Sequence, residues 1–323
     1  MLQLVCPRDK KPFSVVTENS LTCSVGHSYA VVRNIPILLI KEAPETHRAC
    51  GISQRRAVAQ DDLTEDDWRP SSDDPVHPKV QRVVAAAGGY LYRDLVGRLR
   101  DYPIPDIRLP RANGERLLDI GCNWGRWTIA AARKGYSVTG MDPDLGAVLA
   151  ARRVAKQLGV NADFIVADAR YLPFPEDSYD KVFSYSVLQH FSKTNVELAL
   201  REIAFVLTEN GEALIQMPNR FGIRSAYHQV RRIGKPLGIF DVRYWNPWEL
   251  KWTFSKLIGP SHIAVDGYFG LGIQPSDRAF IPRHLHPVLT ASELLRKVSL
   301  HFAPLKLVAD SLYVSTRKKF TVD

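Results

Sequence analysis

Three aspartates each stand at or near the end of an apolar run: Asp119 after Leu117-Leu118, Asp142 after Val138-Thr139-Gly140-Met141, and Asp168 after Ile165-Val166-Ala167. The first run continues into Gly121-Cys122-Asn123-Trp124-Gly125, where the two glycines let the backbone approach a ligand beside the free N–H groups of a following helix. Asp142 lies 23 residues beyond Asp119. In a doubly wound sheet a carboxylate at that strand end accepts hydrogen bonds from ribose hydroxyls. A fourth run, Ser178 to Ser184, leads into Ser186-Val187-Leu188-Gln189-His190-Phe191. The His190 imidazole titrates near neutrality and is placed to take a proton from a hydroxyl acceptor, or to pack against a substrate and orient it. His228, His284 and His286 are weaker candidates for the same work.

A second constellation opens the chain. Cys6-x-x-Asp9 followed by Cys23-x-x-x-His27 has the spacing of paired zinc ligands, with an aspartate where a third cysteine would complete a sulfur-rich site. The alternative is a ribbon held by its apolar strands alone, in which Cys6 and Cys23 are small buried hydrophobes.

These residues need a scaffold, and the hydrophobic pattern describes one. Strands are expected at 116–121, 137–142, 163–168, 179–187, 211–218, 261–269 and 310–316, with helices at 79–99, 124–134, 145–158 and 195–207. Such alternation predicts an α/β fold of Rossmann-like type, a doubly wound, mainly parallel seven-stranded sheet covered by helices on both faces. Residues 1–40 read as a small ribbon-like module ending in Ile35-Pro36-Ile37-Leu38-Leu39-Ile40, and 41–78 as a polar linker with one short helix. The remainder, 79–323, is the main domain, interrupted by inserts at 219–260 and 270–309 that are rich in aromatic, basic and proline residues, including Trp245 and Trp248. Inserts after late strands are where a substrate pocket is built.

Bulk composition excludes several classes. With 45% hydrophobic and 24% charged residues the chain is neither disordered nor fibrous. The longest apolar run is too short to cross a bilayer and the first residues lack a basic secretory start, so the expected location is cytoplasmic. Four cysteines at uneven spacing favour reduced thiols or a metal site over a disulfide framework. The net charge of +9 resides wholly in the C-terminal third: from Asn219 onward 16 Lys/Arg face 7 Asp/Glu, while residues 1–218 carry 27 of each sign. A basic region of that size suits an anionic partner such as a phosphorylated glycan, a lipid surface or RNA, or is simply a solvated face.

The segments 118–142, 168–174 and 179–191 resemble the successive motifs of class I S-adenosylmethionine-dependent methyltransferases, a resemblance that covers roughly residues 85–218. It implies S-adenosylmethionine as cofactor, with Asp119 and Gly121 at its methionine end, Asp142 on the ribose diol, and Asp168 with the Ala169 backbone at the adenine. The implied cofactor-facing set also includes Cys122, Asn123, Gly125, Pro143 and Ser184, with Tyr90 and Arg93 of the preceding helix closing over the cofactor's carboxylate. Asn123-Trp124 stands where that family often has a smaller residue. A nicotinamide-binding reading is disfavoured, because Arg126-Trp127-Thr128 supplies no third glycine of the dinucleotide fingerprint. Residues 1–40 are similar to the zinc-binding N-terminal module of ribosomal RNA guanine-N1 methyltransferases, which implies Cys6, Asp9, Cys23 and His27 as ligands, Asp9 departing from that family's cysteine.

Three functions follow as expectations. The first is methyl transfer to a small or carrier-linked acceptor, as an O-methylation of a glycan, lipid-linked or natural-product intermediate. The second is RNA base methylation, motivated by the N-terminal module and the basic C-terminal third. The third is a non-catalytic, cofactor-binding partner subunit.

Overall fold

The computed structural model describes residues 2–59, 68–87, 97–238, 240–270 and 274–319. The chain begins with four short strands, β1 (Phe13–Val16), β2 (Ser20–Cys23), β3 (Ser28–Val32) and β4 (Ile35–Leu38), joined as an antiparallel ribbon. Helices α1 (Ala49–Ala59) and α2 (Pro78–Ala87) follow. The expected site residues Tyr90 and Arg93 lie outside the described residues.

From Arg116 the expected alternation is observed: β5 (Arg116–Ile120), α3 (Arg126–Arg133), β6 (Ser137–Asp142), α4 (Leu145–Gln157), β7 (Asp163–Ala167), β8 (Tyr179–Ser184), α5 (Lys193–Val206) and β9 (Leu207–Pro218). After β9 come α6 (Ile223–Arg231), α7 (Pro247–Leu257), β10 (Ser261–Gly267), α8 (His286–Val298), α9 (Leu305–Val308) and β11 (Ser311–Arg317). Local chemistry sets the helix starts. The Asp144 carboxylate accepts from the Gly146 and Ala147 N–H groups ahead of α4, and the Ser192 hydroxyl accepts from the Asn195 N–H ahead of α5.

The seven strands β5 to β11 lie in the order β7-β6-β5-β8-β9-β11-β10, parallel from β7 to β9, with β11 antiparallel to both of its neighbours. This is the expected doubly wound sheet. Alternation along β5 divides the core: Leu118 and Ile120 pack with Leu200 and Ile203 of α5 and Phe254 of α7, whereas Leu117 packs with Trp127 and Ala131 of α3 on the other face.

The sheet does not stop at seven strands. β4 pairs in parallel with β7, Ile37 opposite Val166 and Leu38 opposite Ala167, so the ribbon extends the sheet to eleven strands among the described residues. The physical reason is the edge. β7 would otherwise present unpaired backbone groups, and the apolar run through Ile37 and Leu38 seals it while burying both side chains. The segment after the ribbon is also tied down. Ser53 of α1 donates its hydroxyl to the Pro143 carbonyl at 2.7 Å and accepts from the Leu145 N–H at 2.9 Å. No helix among the described residues is long and apolar enough to cross a membrane.

Candidate active site

The carboxyl ends of β5, β6 and β7 bring Asp119, Asp142 and Asp168 to one edge of the sheet, as their sequence positions predict. Asp119 is buried and its Oδ2 accepts the Thr128 hydroxyl from α3 at 2.6 Å. Burial pushes its carboxyl up to about 7, the Thr128 hydrogen bond opposing the shift and the nearby Asp142 charge adding to it. Asp142 is likewise raised by burial, to about 6, while backbone donors hold it down. The Asn123 N–H reaches its Oδ2 at 3.0 Å and the Asp144 N–H its Oδ1 at 2.9 Å. Two carboxylates on adjacent buried strand ends are therefore poised to receive a cation and hydroxyl donors.

The turn between β5 and α3 is shaped for close approach. Gly121 has φ 77°, and a Cβ there would lie 2.1 Å from Val187 Cγ2, so any other residue would have to displace Val187 in a backbone region that favours glycine. Asn123 is also left-handed, at φ 48°, and its side-chain oxygen accepts from the Trp124 N–H at 2.8 Å. Gly125 caps α3 without a side-chain acceptor, and within the first turn the Thr128 N–H is already directed at the Asp119 carboxylate. Cys122 is buried, and desolvation pushes its thiol well above the usual range, making it a neutral packing group.

Not every expected residue faces this crevice with free valence. The Ser184 hydroxyl is buried and donates to the Ile120 carbonyl at 3.0 Å, tying β8 to β5. Asp168 is clamped by Arg170: Nη2 donates to Oδ2 at 2.7 Å and Nε to Oδ1 at 3.1 Å, while the Arg170 N–H adds a bond to Oδ1 at 2.9 Å. The same guanidinium donates to the Pro44 carbonyl at 2.7 Å, so residues following the ribbon help to form the wall beside Asp168 and Cys50. Sequence reasoning missed Arg170, Thr128 and Ser53. The only available signal was the Asp168-x-Arg170 spacing, which is common in turns.

His190 follows β8, stacked on Phe240 at 3.8 Å between ring centroids and 7° between planes. Its Nδ1 donates to the Phe240 carbonyl at 2.8 Å, which leaves Nε2 to accept from the Gln189 amide at 3.2 Å. Burial lowers the imidazole to about 4, so it is neutral at physiological pH. The first insert folds back over this segment: the Arg243 N–H donates to the Gln189 carbonyl at 2.8 Å and its guanidinium to the His190 carbonyl at 2.5 Å.

In the ribbon, the four residues singled out by spacing converge, with one ligand atom of each within 4.8 Å of the others. His27 Nδ1 is 3.0 Å from Asp9 Oδ2, 3.5 Å from Cys6 Sγ and 3.6 Å from Cys23 Sγ. A tetrahedral zinc with bonds of about 2.0 to 2.3 Å needs ligand atoms at about this mutual separation, so the cluster fits the ion.

Comparison with known proteins agrees with this geometry. Residues 117–211, less than a third of the chain, match the family model described as a methyltransferase domain. A ubiquinone biosynthesis O-methyltransferase of Azorhizobium caulinodans is 32% identical over 107 residues, 33% of this chain and 42% of that protein. The uncharacterized methyltransferase YcgJ of Bacillus subtilis is 36% identical over 101 residues, 31% of this chain and 39% of that protein. The alignments thus span about two fifths of these relatives' length. A solved S-adenosylmethionine-dependent methyltransferase from Mesorhizobium loti aligns at a TM-score of 0.45 and 17% identity, covering 65% of this chain and 94% of that one. The strand ends that carry Asp119, Asp142 and Asp168 all lie within the segment that matches the methyltransferase-domain model.

Proposed function

We propose that the chain binds S-adenosylmethionine at the carboxyl edge of β5, β6 and β7 and transfers its methyl group to a small or carrier-linked acceptor, as an O-methylation of a glycan, lipid-linked or natural-product intermediate. The observation that carries the cofactor assignment is the pair of buried carboxylates, Asp119 raised to about 7 and Asp142 to about 6, beside a turn whose backbone at position 121 is left-handed and packed against Val187. An ammonium near Asp119 would restore its charge, ribose hydroxyls would complete Asp142, and the remaining N–H groups at the start of α3 would receive a carboxylate. The bound sulfonium supplies an activated methyl group, so the protein's work is alignment and exclusion of water. His190, neutral and bonded at both nitrogens, orients the acceptor side of the pocket rather than holding a free lone pair for it. Cys6, Asp9, Cys23 and His27 would hold a structural zinc that stiffens the ribbon.

RNA base methylation is the second reading, supported by the convergence of that four-ligand cluster together with the resemblance in sequence of residues 1–40 to a module of ribosomal RNA methyltransferases. Calorimetric titration with S-adenosylmethionine, against Asp142→Ala and an NADH control, tests the cofactor. Binding to the wild type that is lost in the variant is expected, and a folded wild type that ignores the ligand overturns the proposal. Incubating extract with methyl-labelled cofactor separates the acceptors, since label that survives RNase in a small-molecule or lipid fraction rules out RNA.

A further inference from the structure

Helix α6 is amphipathic the wrong way round for a globular protein. Only Ser225 of its nine residues is buried, and Ile223, Tyr227 and Val230, spaced i, i+4 and i+7 on one face, are 58%, 56% and 65% exposed. The chain beyond it keeps the same character, with Ile233 78% exposed. Arg220, Arg224, Arg231 and Lys235 are interleaved with these apolar residues, while Arg232 pairs with Asp241 at 3.3 Å, and no acidic residue occurs between Asn219 and Phe240.

The face continues through neighbouring elements. Phe221 meets exposed Trp248 of α7 edge-on at 5.9 Å, and Trp252 lies one turn further along the same helix. On the other side Asn219 Nδ2 donates to the Leu307 and Ala309 carbonyls at 2.8 Å each, joining the base of α6 to α9. Topology decides where this surface points. β9 ends at Pro218 and β10 at Gly267, while β11 starts at Ser311 opposite both, so the chain leaves or enters all three strands at the sheet edge that carries Asp119 and Asp142.

We propose that this face docks on an anionic lipid bilayer, with the apolar side of α6 and the rings of Trp248 and Trp252 in the interface and the interleaved arginines and lysines on lipid phosphates. Aliphatic side chains that large gain nothing from RNA, and a cationic surface of this density repels a second copy of itself. An anionic bilayer is the occupant that offers both an apolar layer and the complementary charge. Docking brings the methyl-transfer crevice to the membrane surface, where a lipid-borne acceptor would enter. That delivery rests on the function proposed above, whereas the docking itself does not.

Sedimentation of the full chain with vesicles of phosphatidylcholine, with and without phosphatidylglycerol, reads the docking without cofactor or acceptor. The expected result is binding to the anionic vesicles that weakens with salt. The pair Arg231→Glu and Lys235→Glu should bind at least about 25-fold more weakly, about fivefold for each charge removed. Val230→Glu with Ile233→Glu, both at exposed positions where folding is checked by thermal melt, should also abolish pelleting. Equal pelleting with neutral and anionic vesicles, no pelleting at low salt, or variants that bind like the wild type would each overturn the proposal, as would light scattering that shows the face buried in a dimer. S-adenosylmethionine titration of the same variants is expected to be unchanged, so failure of the docking and failure of the cofactor reading are distinguished.

Discussion

At the scale of single residues, the site is governed by what burial does to charge. Asp119 carries a proton up to about pH 7 when folded but only to about pH 4 when unfolded, so the unfolded chain binds fewer protons between those values. Stability without ligand is therefore expected to fall as pH rises through that window, by at most about 1.4 kcal/mol per pH unit for this group, and Asp119→Asn should flatten that part of a melting-temperature profile. Binding of a cationic ligand has the opposite slope. Affinity for S-adenosylmethionine should rise from pH 5.5 to pH 8 with release of a proton, measured by calorimetry in buffers of different ionisation enthalpy (expected window about the Asp119 and Asp142 values, 7 and 6). His190 is neutral above about pH 4, so its titration should leave no inflection in kcat near neutrality. His190→Gln is expected to keep activity within about tenfold, whereas a general base would cost about a hundredfold or more.

At the scale of elements, the turn from β5 into α3 is the least forgiving segment. Gly121→Ala places a methyl against Val187 in a left-handed backbone, and should destabilise the fold by about 2 kcal/mol or more and abolish cofactor binding, read by thermal melt and titration. The sequence located this turn, the strands on either side and the helices α3, α4 and α5 to within a few residues, because apolar periodicity and glycine placement are local signals. What joins elements far apart in sequence was not legible. Arg170 reaches both Asp168 and Pro44, and Ser53 caps onto Pro143 and Leu145, through contacts that depend on how α1 lies across the sheet. Arg170→Ala should loosen the chain near Pro44, detected as faster hydrogen exchange in residues 41–54.

At the scale of the whole molecule, the ribbon and the main sheet share backbone hydrogen bonds between β4 and β7, so heating should give a single calorimetric transition rather than two. If zinc occupies the four-ligand cluster, about one equivalent should be found by elemental analysis, and its removal by chelator or by Cys6→Ser should lower the melting temperature of the entire chain. By itself the sequence determined the doubly wound sheet and the three acidic strand ends, and it singled out Cys6, Asp9, Cys23 and His27 as candidates for one cluster, since each is written in spacing along a few dozen residues. Tertiary structure alone decided that the ribbon closes the open edge of β7, that Asp168 is held by Arg170, and that the apolar face of α6 turns outward. Edges, clamps and exposed faces depend on which neighbour a surface finds in space, and periodicity along the chain carries no record of that.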